Sequence, residues 1–302
     1  MRRERIKSAT ANYNIGTLVS FIKMKHGFGN LNYRVQTTKG TYLLRYNIQK
    51  DISLIEYEVS ILLELKQINF PTAYPIKMKN GEYILDDLIV LYEFIDGYIP
   101  KLNVNTVKEI AKAAASLNSF TRWSEFERKN IMNLNDCIDL IRKFSNAKYK
   151  YPLLFRDFIK QIEFIKNKLF ASLPRGLIHA DLFPDNVVFR NDKLVAILDF
   201  EDMCTDNLIF EVGMAINGFC FINNELDQYL MNTFLKNYSK VRPLTKKEIE
   251  LLPVYIHWTA LGMVSWHLKR LIGHKNDRQL TRARELMDRV KVIRKIKNWE
   301  LF

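Results

Sequence analysis

The sequence is poor in the residues that cross-link small domains or bind zinc. Its 302 residues include only three cysteines, Cys137, Cys204 and Cys220, an odd number without CxxC spacing. Neither a disulfide framework nor a zinc knuckle is therefore indicated. We expect three buried, structural thiols.

Long hydrophobic runs are also missing. The longest lies around residues 88–92, far short of what crosses a bilayer, and the opening stretch MRRERIKSATANYNIG lacks the apolar core of a signal peptide. We therefore expect a cytoplasmic protein with no membrane partner. The chain shows no repeat or low-complexity segment, and a composition of 48% hydrophobic and 26% charged residues is that of a folded chain rather than a disordered one.

Acidic residues are fewer than basic ones, 33 against 46, which gives a formal charge of +13. This excess favours an anionic partner, which could be a nucleotide, a phosphorylated substrate, nucleic acid or a membrane surface. Basic residues also fill the face of the last predicted helix, from about Gln279, that lies opposite an apolar stripe. We interpret them as a solvated face and expect no nucleic-acid partner.

The first hundred residues alternate apolar and polar side chains as strands do. LNYRVQTT and TYLLRYNI, joined at Lys39-Gly40, predict a hairpin, and residues 51–67 have helical spacing. PTAYPIKM, EYIL and LIVLYEF predict further short strands. The sequence therefore predicts a small, mostly antiparallel sheet with one helix inserted after its third strand.

Beyond Asp96-Gly97 the pattern becomes helical. Helices are predicted over 106–120, 135–146 and 153–170 and through the C-terminal part, with LVAILDF as a short strand. Asp96-Gly97 begins a looser stretch that suits a hinge. The sequence predicts an α+β chain with an N-terminal lobe of residues 1–95 and a C-terminal lobe of residues 96–302.

The stretch GLIHADLFPDNVVF, residues 176–189, places polar groups between two apolar runs. Its spacing is His-x-Asp-x-x-x-x-Asn, followed by Asp199 at the end of the apolar AILDF. This order is typical of kinase-like phosphotransferases, in which an Asp meets the acceptor hydroxyl while an Asn and a second Asp hold magnesium. Amide and carboxylate oxygens suit that hard cation.

Three stretches, HADLFPDNVVF, AILDFEDMCTD and GFGNLNYRVQTTKGTYLL, resemble the aminoglycoside phosphotransferase and choline kinase superfamily, and more closely its homoserine kinase branch. The resemblance covers about residues 13–271. It implies a bilobal, protein-kinase-like fold with ATP and Mg²⁺ between the lobes, the first lobe binding nucleotide and the second holding a small hydroxylated acceptor. Homoserine is the expected acceptor; an aminoglycoside or other antibiotic, or choline, is the alternative.

The resemblance also implies roles for individual residues. Asp181 becomes the catalytic base, and Asn186 and Asp199 the magnesium ligands. Arg45 stands where the family has a phosphate-binding lysine, with Glu58 as its helix partner and Glu56 as the competing choice. The remaining residues assigned to the nucleotide are Gly27, Gly29, Asn30, Glu93 and Phe94.

Acceptor residues are less well marked in the sequence. Glu201 or Asp202 could bind the ammonium of a zwitterion such as homoserine, and His267 or Arg270 its carboxylate, although their helix also has the spacing of a core helix. Two further acids of this region, Asp206 and Glu211, are expected to brace the catalytic loop.

Several parts of a regulated protein kinase are absent. Ala180 replaces the arginine of the catalytic loop, Glu201 replaces the glycine after Asp-Phe, and no Ala-Pro-Glu follows. A small-molecule kinase therefore fits better than a protein kinase. A catalytically silent, kinase-shaped binding protein is the alternative from another class, suggested by the +13 charge and Arg45, and the three retained residues Asp181, Asn186 and Asp199 argue against it.

Overall fold

The computed structural model describes residues 1–24, 30–48, 51–86, 88–145, 151–169, 172–273, 277–296 and 299. The chain divides into two compact units. Unit 1 comprises Met1–Tyr98 and Val188–Glu201, and unit 2 comprises Ile99–Val187 and Asp202–Phe302. The lobe limits 1–95 and 96–302 stay a prediction.

Unit 1 is built on a five-stranded sheet with strand order β1-β2-β3-β5-β4 and antiparallel pairing throughout. The predicted hairpin is present, with Tyr33 opposite Leu44. The elements of the first segment are α1 (Arg3–Ala11), β1 (Leu18–Lys23), β2 (Asn30–Thr37), β3 (Gly40–Asn47), α2 (Ile52–Gln67), β4 (Ile84–Leu85) and β5 (Ile89–Glu93).

One face of this sheet packs on the N-terminal helix α1. The cluster joins Ile6 of α1 to Val35, Leu44 and Leu91 of the strands. Because side chains alternate along a strand, Leu44 in this cluster puts its neighbour Arg45 on the other face. The sequence did not predict α1, whose RERIKSATA has few apolar residues.

The predicted strand over PTAYPIKM is wrong. The structure has isolated bridges there instead, at Thr72, Pro75 and Met78. Pro71 and Pro75 lack the backbone N–H that a strand donates to its neighbour, so a continuous strand does not form here.

Helix α2 begins where predicted, because Asp51 caps it by accepting a hydrogen bond from the Ser53 amide at 3.1 Å. Its buried residues include Ile55, Val59 and Leu62 at helical spacing, together with one acid, Glu58. This helix therefore carries a carboxylate into an otherwise apolar interface.

The second segment of unit 1 contains a hairpin of β7 (Val187–Arg190), whose first residue is assigned to unit 2, and β8 (Lys193–Ile197). It is tied to the first segment by paired backbone bonds between Tyr98 and Phe189, both 2.9 Å, and by Ile197 N–H to the Pro71 carbonyl at 2.8 Å. These bonds hold the residues that lead to Asp199 within unit 1.

Unit 2 is mainly helical. A small antiparallel pair, β6 and β9, lies before and after the catalytic stretch in the chain. The elements of unit 2 are α3 (Val104–Asn118), α4 (Leu134–Ser145), α5 (Pro152–Ile165), β6 (Arg175–Ile178), β9 (Cys204–Asn207), α6 (Ile209–Phe219), β10 (Phe221–Ile222), β11 (Glu225–Leu226), α7 (Gln228–Ser239), α8 (Lys246–Gly273) and α9 (Asp277–Lys295).

Helix α6 is buried along its whole length and packs closely on α8. A Cβ at Gly213 would lie 2.8 Å from the Tyr255 carbonyl oxygen, so only glycine permits this approach. Asn217 adds hydrogen bonds to the Ile256 carbonyl and the Thr259 hydroxyl, at 2.8 and 2.9 Å. Helices α6 and α8 are therefore tightly packed on each other.

The α+β class and its division into an antiparallel sheet followed by helices are confirmed. The apolar stripe of α9 is buried as predicted, including Leu280, Leu286 and Val290. All three cysteines are free and buried. Among the helices of the described residues, none is long and apolar enough to span a membrane.

Candidate active site

Residues 179–186 form a turn that follows β6, which we call the catalytic turn after the role that the sequence predicts for it. Asn186 donates from Nδ2 to both the carbonyl oxygen and the carboxylate Oδ2 of Asp181, each at 2.8 Å. Both bonds use the amide nitrogen, so neither occupies the amide oxygen. Asp185, equally polar in the sequence, is exposed. The predicted pair Asp181 and Asn186 is therefore brought together, and their roles in catalysis stay predictions.

Hydrogen bonds to buried side chains also hold this turn in place. His179 is fully buried, and its Nδ1 accepts from the Asp181 amide at 3.3 Å. Ala180 has a positive φ of 67°, an unfavourable conformation for alanine, and its amide donates to Glu211 Oε2 at 3.1 Å. Glu211 therefore braces the loop.

Asp206, the other acid expected to brace this loop, has different partners. It lies on β9 and accepts from Asn130 Nδ2 at 2.7 Å. Burial raises its pKa. It also lines a polar cavity of about 410 Å³ with Arg128, Lys129 and Arg175. Its side chain thus fixes the segment around Asn130 rather than the catalytic turn.

Glu211 gives the fold a pH dependence. Burial raises its pKa from 4.5 to about 7, against the backbone hydrogen bonds of Ala180 and His179, which lower it. At pH values between 4.5 and about 7, Glu211 keeps its proton in the folded protein but loses it in the unfolded chain. The free energy of unfolding should therefore fall as pH rises through this window, by up to about 3 kcal/mol from this group.

Glu211→Gln tests this dependence, because glutamine keeps the acceptor oxygen but cannot ionise. Urea unfolding at pH 5, 6 and 7.5 should give a flatter pH dependence for the variant than for the wild type. Equal slopes in the two proteins would contradict the assignment of this titration to Glu211.

In unit 1, Arg45 lies between two carboxylates. Its Nη1 is 3.0 Å from Glu58 Oε1 and its Nη2 is 3.5 Å from Asp199 Oδ1. Glu58 is 3% exposed, whereas Glu56 is on the exposed side of α2, so the geometry selects Glu58 as the partner. The Arg45 guanidinium also stacks over the Tyr92 ring, 5.4 Å from its centroid.

The electrostatics of Arg45 follow from these neighbours. Burial alone would lower its pKa, but the carboxylates of Glu58 and Asp199 outweigh burial and raise the pKa above its ordinary value. Arg45 is therefore a fixed, permanent cation. A group of this kind suits phosphate oxygens.

Asp199 has a positive φ of 65°, at the end of the β8 segment. Two residues later, Glu201 Oε2 accepts a hydrogen bond from Asn30 Nδ2 at 3.0 Å. Asn30 is the first residue of β2. The bond therefore joins the beginning of the hairpin to the segment that carries Asp199.

For the other predicted nucleotide residues, the contacts in the structure do not indicate a role. Gly27 and Gly29 lie outside the described residues. Glu93 ends β5, and its amide donates to the Tyr74 carbonyl at 2.9 Å. The Phe94 ring lies under the Arg34 guanidinium, with 4.7 Å between them.

The predicted acceptor residues are divided between the two units. Glu201 belongs to unit 1, and Asp202, His267 and Arg270 belong to unit 2. His267 is buried, its Nδ1 contacts Gln279 Oε1, and burial lowers its pKa to about 4, so it is neutral. Arg270 is exposed and stacks 3.2 Å over the Trp266 ring. Their roles toward an acceptor stay predictions.

Curated proteins similar to this chain include homoserine kinases. That of Parvibaculum lavamentivorans is 27% identical over 278 residues, which covers 90% of this chain and 87% of the relative. That of Rhizobium meliloti is 28% identical over 259 residues, covering 83% and 79%.

Solved structures show the same fold at lower identity. A spectinomycin phosphotransferase in complex with ADP and spectinomycin has a TM-score of 0.74 and 14% identity, covering 98% of this chain and 99% of that one. A microcompartment-associated aminopropanol kinase has a TM-score of 0.73 and 17% identity, covering 97% of each chain. At such identities the likeness establishes the fold alone.

The sequence model described as the phosphotransferase enzyme family matches residues 21–244, well over half of the chain. The match includes both the Arg45–Glu58 pair and the turn that holds Asp181 against Asn186. The chain therefore belongs to the phosphotransferase enzyme family.

Proposed function

We propose that this protein is an ATP- and magnesium-dependent kinase that phosphorylates the side-chain hydroxyl of homoserine. The observation that carries the proposal is the Asp181–Asn186 pair, in which one amide nitrogen fixes a carboxylate and its loop backbone. We choose homoserine as the acceptor because homoserine kinases match most of the chain.

Asp181 is the catalytic base in this proposal. Transfer of a γ-phosphoryl group depends chiefly on positioning and charge neutralisation. Asp181 orients the acceptor hydroxyl by accepting its hydrogen bond and takes its proton as the new P–O bond to the acceptor forms and the bond from the γ-phosphorus to ADP breaks. The two bonds that Asn186 donates, and the bond that the Ala180 amide donates to Glu211, hold the carboxylate at one position during the reaction.

The residues present fit a magnesium ion chemically. Asn186 offers an amide oxygen that its own hydrogen bonds to Asp181 do not use, and Asp199 offers a carboxylate. Hard oxygen donors of this kind suit Mg²⁺. When bound, the ion neutralises charge on the transferred phosphate.

Arg45, held by Glu58, binds phosphate oxygens of ATP. The pair is the equivalent of the lysine and glutamate that kinase-like enzymes use, with a planar guanidinium replacing the ammonium. Gly27, Gly29, Asn30, Glu93 and Phe94 complete the proposed nucleotide site.

The decisive experiment is a turnover screen with purified protein, ATP and Mg²⁺. Homoserine is compared with choline, spectinomycin and 3-aminopropanol, and the phosphorylated product is identified by ³¹P NMR. We expect homoserine to have the highest kcat/KM. A higher kcat/KM for choline or for the antibiotic would overturn the acceptor but keep the enzyme class.

The alternative of a catalytically silent binding protein makes a different set of predictions. It requires no magnesium-dependent binding of ATP in calorimetry and a salt-dependent affinity for DNA or RNA. Magnesium-dependent ATP binding together with product formation excludes it.

A further inference from the structure

A second arginine, Arg289 on α9, is held by neutral groups only. Its Nη1 donates to the Asn217 carbonyl oxygen, and its Nε donates to Asn224 Oδ1 at 3.1 Å. The guanidinium lies 5.1 Å from the centroid of the Phe221 ring. A guanidinium has further N–H donors beyond these two.

The charge of Arg289 is not balanced locally. Within the described parts of the chain no carboxylate forms an ion pair with it, and its neighbour Arg282 already pairs with Glu285 at 3.1 Å. The pKa of Arg289 is lowered to about 10, chiefly by burial and also by Arg282, while Glu285 acts in the opposite direction. An anion bound beside the Arg289 guanidinium would stabilise this partly buried charge.

Arg289 is also close to the catalytic turn. The carbonyl that it binds belongs to Asn217, and the next residue is Gly218. A Cβ at Gly218 would lie 2.6 Å from the Leu182 carbonyl oxygen, so the backbone of α6 touches the turn at the residue after Asp181. The contact with Arg289 and the contact with the turn therefore lie at two adjacent residues of α6, Asn217 and Gly218.

We propose that Arg289 binds the carboxylate of an amino-acid acceptor and so selects carboxylate-bearing amino alcohols over purely cationic alcohols. The inference rests on the proposed function and adds the residue that distinguishes between acceptors. A guanidinium matches a carboxylate with paired hydrogen bonds, whereas it repels choline or an aminoglycoside.

Arg289 meets the requirement better than the two residues expected from the sequence. His267 is neutral and bound to Gln279, and Arg270 is exposed over Trp266. Arg289 is partly buried, charged and fixed in orientation by two hydrogen bonds.

A purely structural role is the competing explanation, because arginines commonly bind carbonyls near the end of a helix, and Asn217 lies near the end of α6. Loss of such a bond would affect every acceptor alike. A test must therefore compare acceptors that differ only in the carboxylate.

The experiment compares homoserine with 3-aminopropanol, which is homoserine without its carboxylate. Arg289→Gln should lower kcat/KM for homoserine by about 10- to 100-fold and leave 3-aminopropanol nearly unchanged. Arg289→Lys, which keeps the charge but not the paired geometry, should show a smaller loss on homoserine alone, and it carries the test if the glutamine variant does not fold. Arg284→Gln, an exposed change of the same charge on α9, is the matched control.

The possible outcomes distinguish the two proposals. Equal losses on both acceptors, or no loss on homoserine, overturn the role of Arg289 while wild-type turnover of homoserine upholds the proposed function. A wild type that phosphorylates the two acceptors equally well also overturns the carboxylate site. A wild type that phosphorylates neither overturns both proposals.

Discussion

Replacement of Asp181 by asparagine should lower kcat for homoserine phosphorylation by at least about 100-fold while the protein stays folded. Asparagine has nearly the same shape, so the loop keeps its form, but it cannot accept the hydroxyl proton. A coupled assay of ADP release, with circular dichroism as a check of folding, measures both properties. The KM for ATP should change little, because Asp181 acts on the acceptor.

Asp185→Asn provides the matched control for this variant. Asp185 lies in the same short turn and loses the same charge, but its side chain is exposed. Its kcat should stay within about 2-fold of the wild type, as for surface substitutions away from a site. Comparable losses in the two variants would mean that charge in the loop, and not the Asp181 carboxylate itself, is what matters.

Arg45→Met should lower both stability and activity. The change leaves Glu58, which is 3% exposed, as a buried carboxylate without its closest cation. Breaking a buried pair in this way costs about 3 kcal/mol of unfolding free energy, measurable by urea denaturation. Turnover should fall below detection, because the proposed phosphate contact is lost.

A double variant separates the two effects. Arg45→Met combined with Glu58→Met replaces the buried pair by apolar side chains and should recover most of the lost stability. Its turnover should not recover, because no cation remains at position 45. Recovery of activity in the double variant would contradict a role of Arg45 toward nucleotide.

The catalytic turn could be predicted from the sequence because its residues are local. His179, Asp181 and Asn186 lie within one short stretch, and their bonds to one another are set by that stretch. The hairpin of β2 and β3 is predictable for the same reason, since alternation and turn type fix its register.

Features that depend on distant parts of the chain could not be predicted. The helical pattern of α2 left Glu56 and Glu58 open, and only the packing of α2 on β3 selects Glu58. Arg289 was hidden among the basic residues of α9. One signal was available, because Arg289 falls three residues after Leu286 and four before Ile293, on the apolar stripe rather than opposite it.

The division of unit 1 between two stretches of chain has a consequence for biosynthesis. Residues 188–201 complete this unit, and they provide the partners of Tyr98 and Pro71 and the second carboxylate beside Arg45. A nascent chain that has emerged only to Tyr98 lacks these partners, because residues 99–187, which include helices α3, α4 and α5, are synthesised before residue 188. Unit 1 is therefore expected to acquire its native hydrogen bonding late during translation, after helices α3, α4 and α5 of unit 2 have been synthesised.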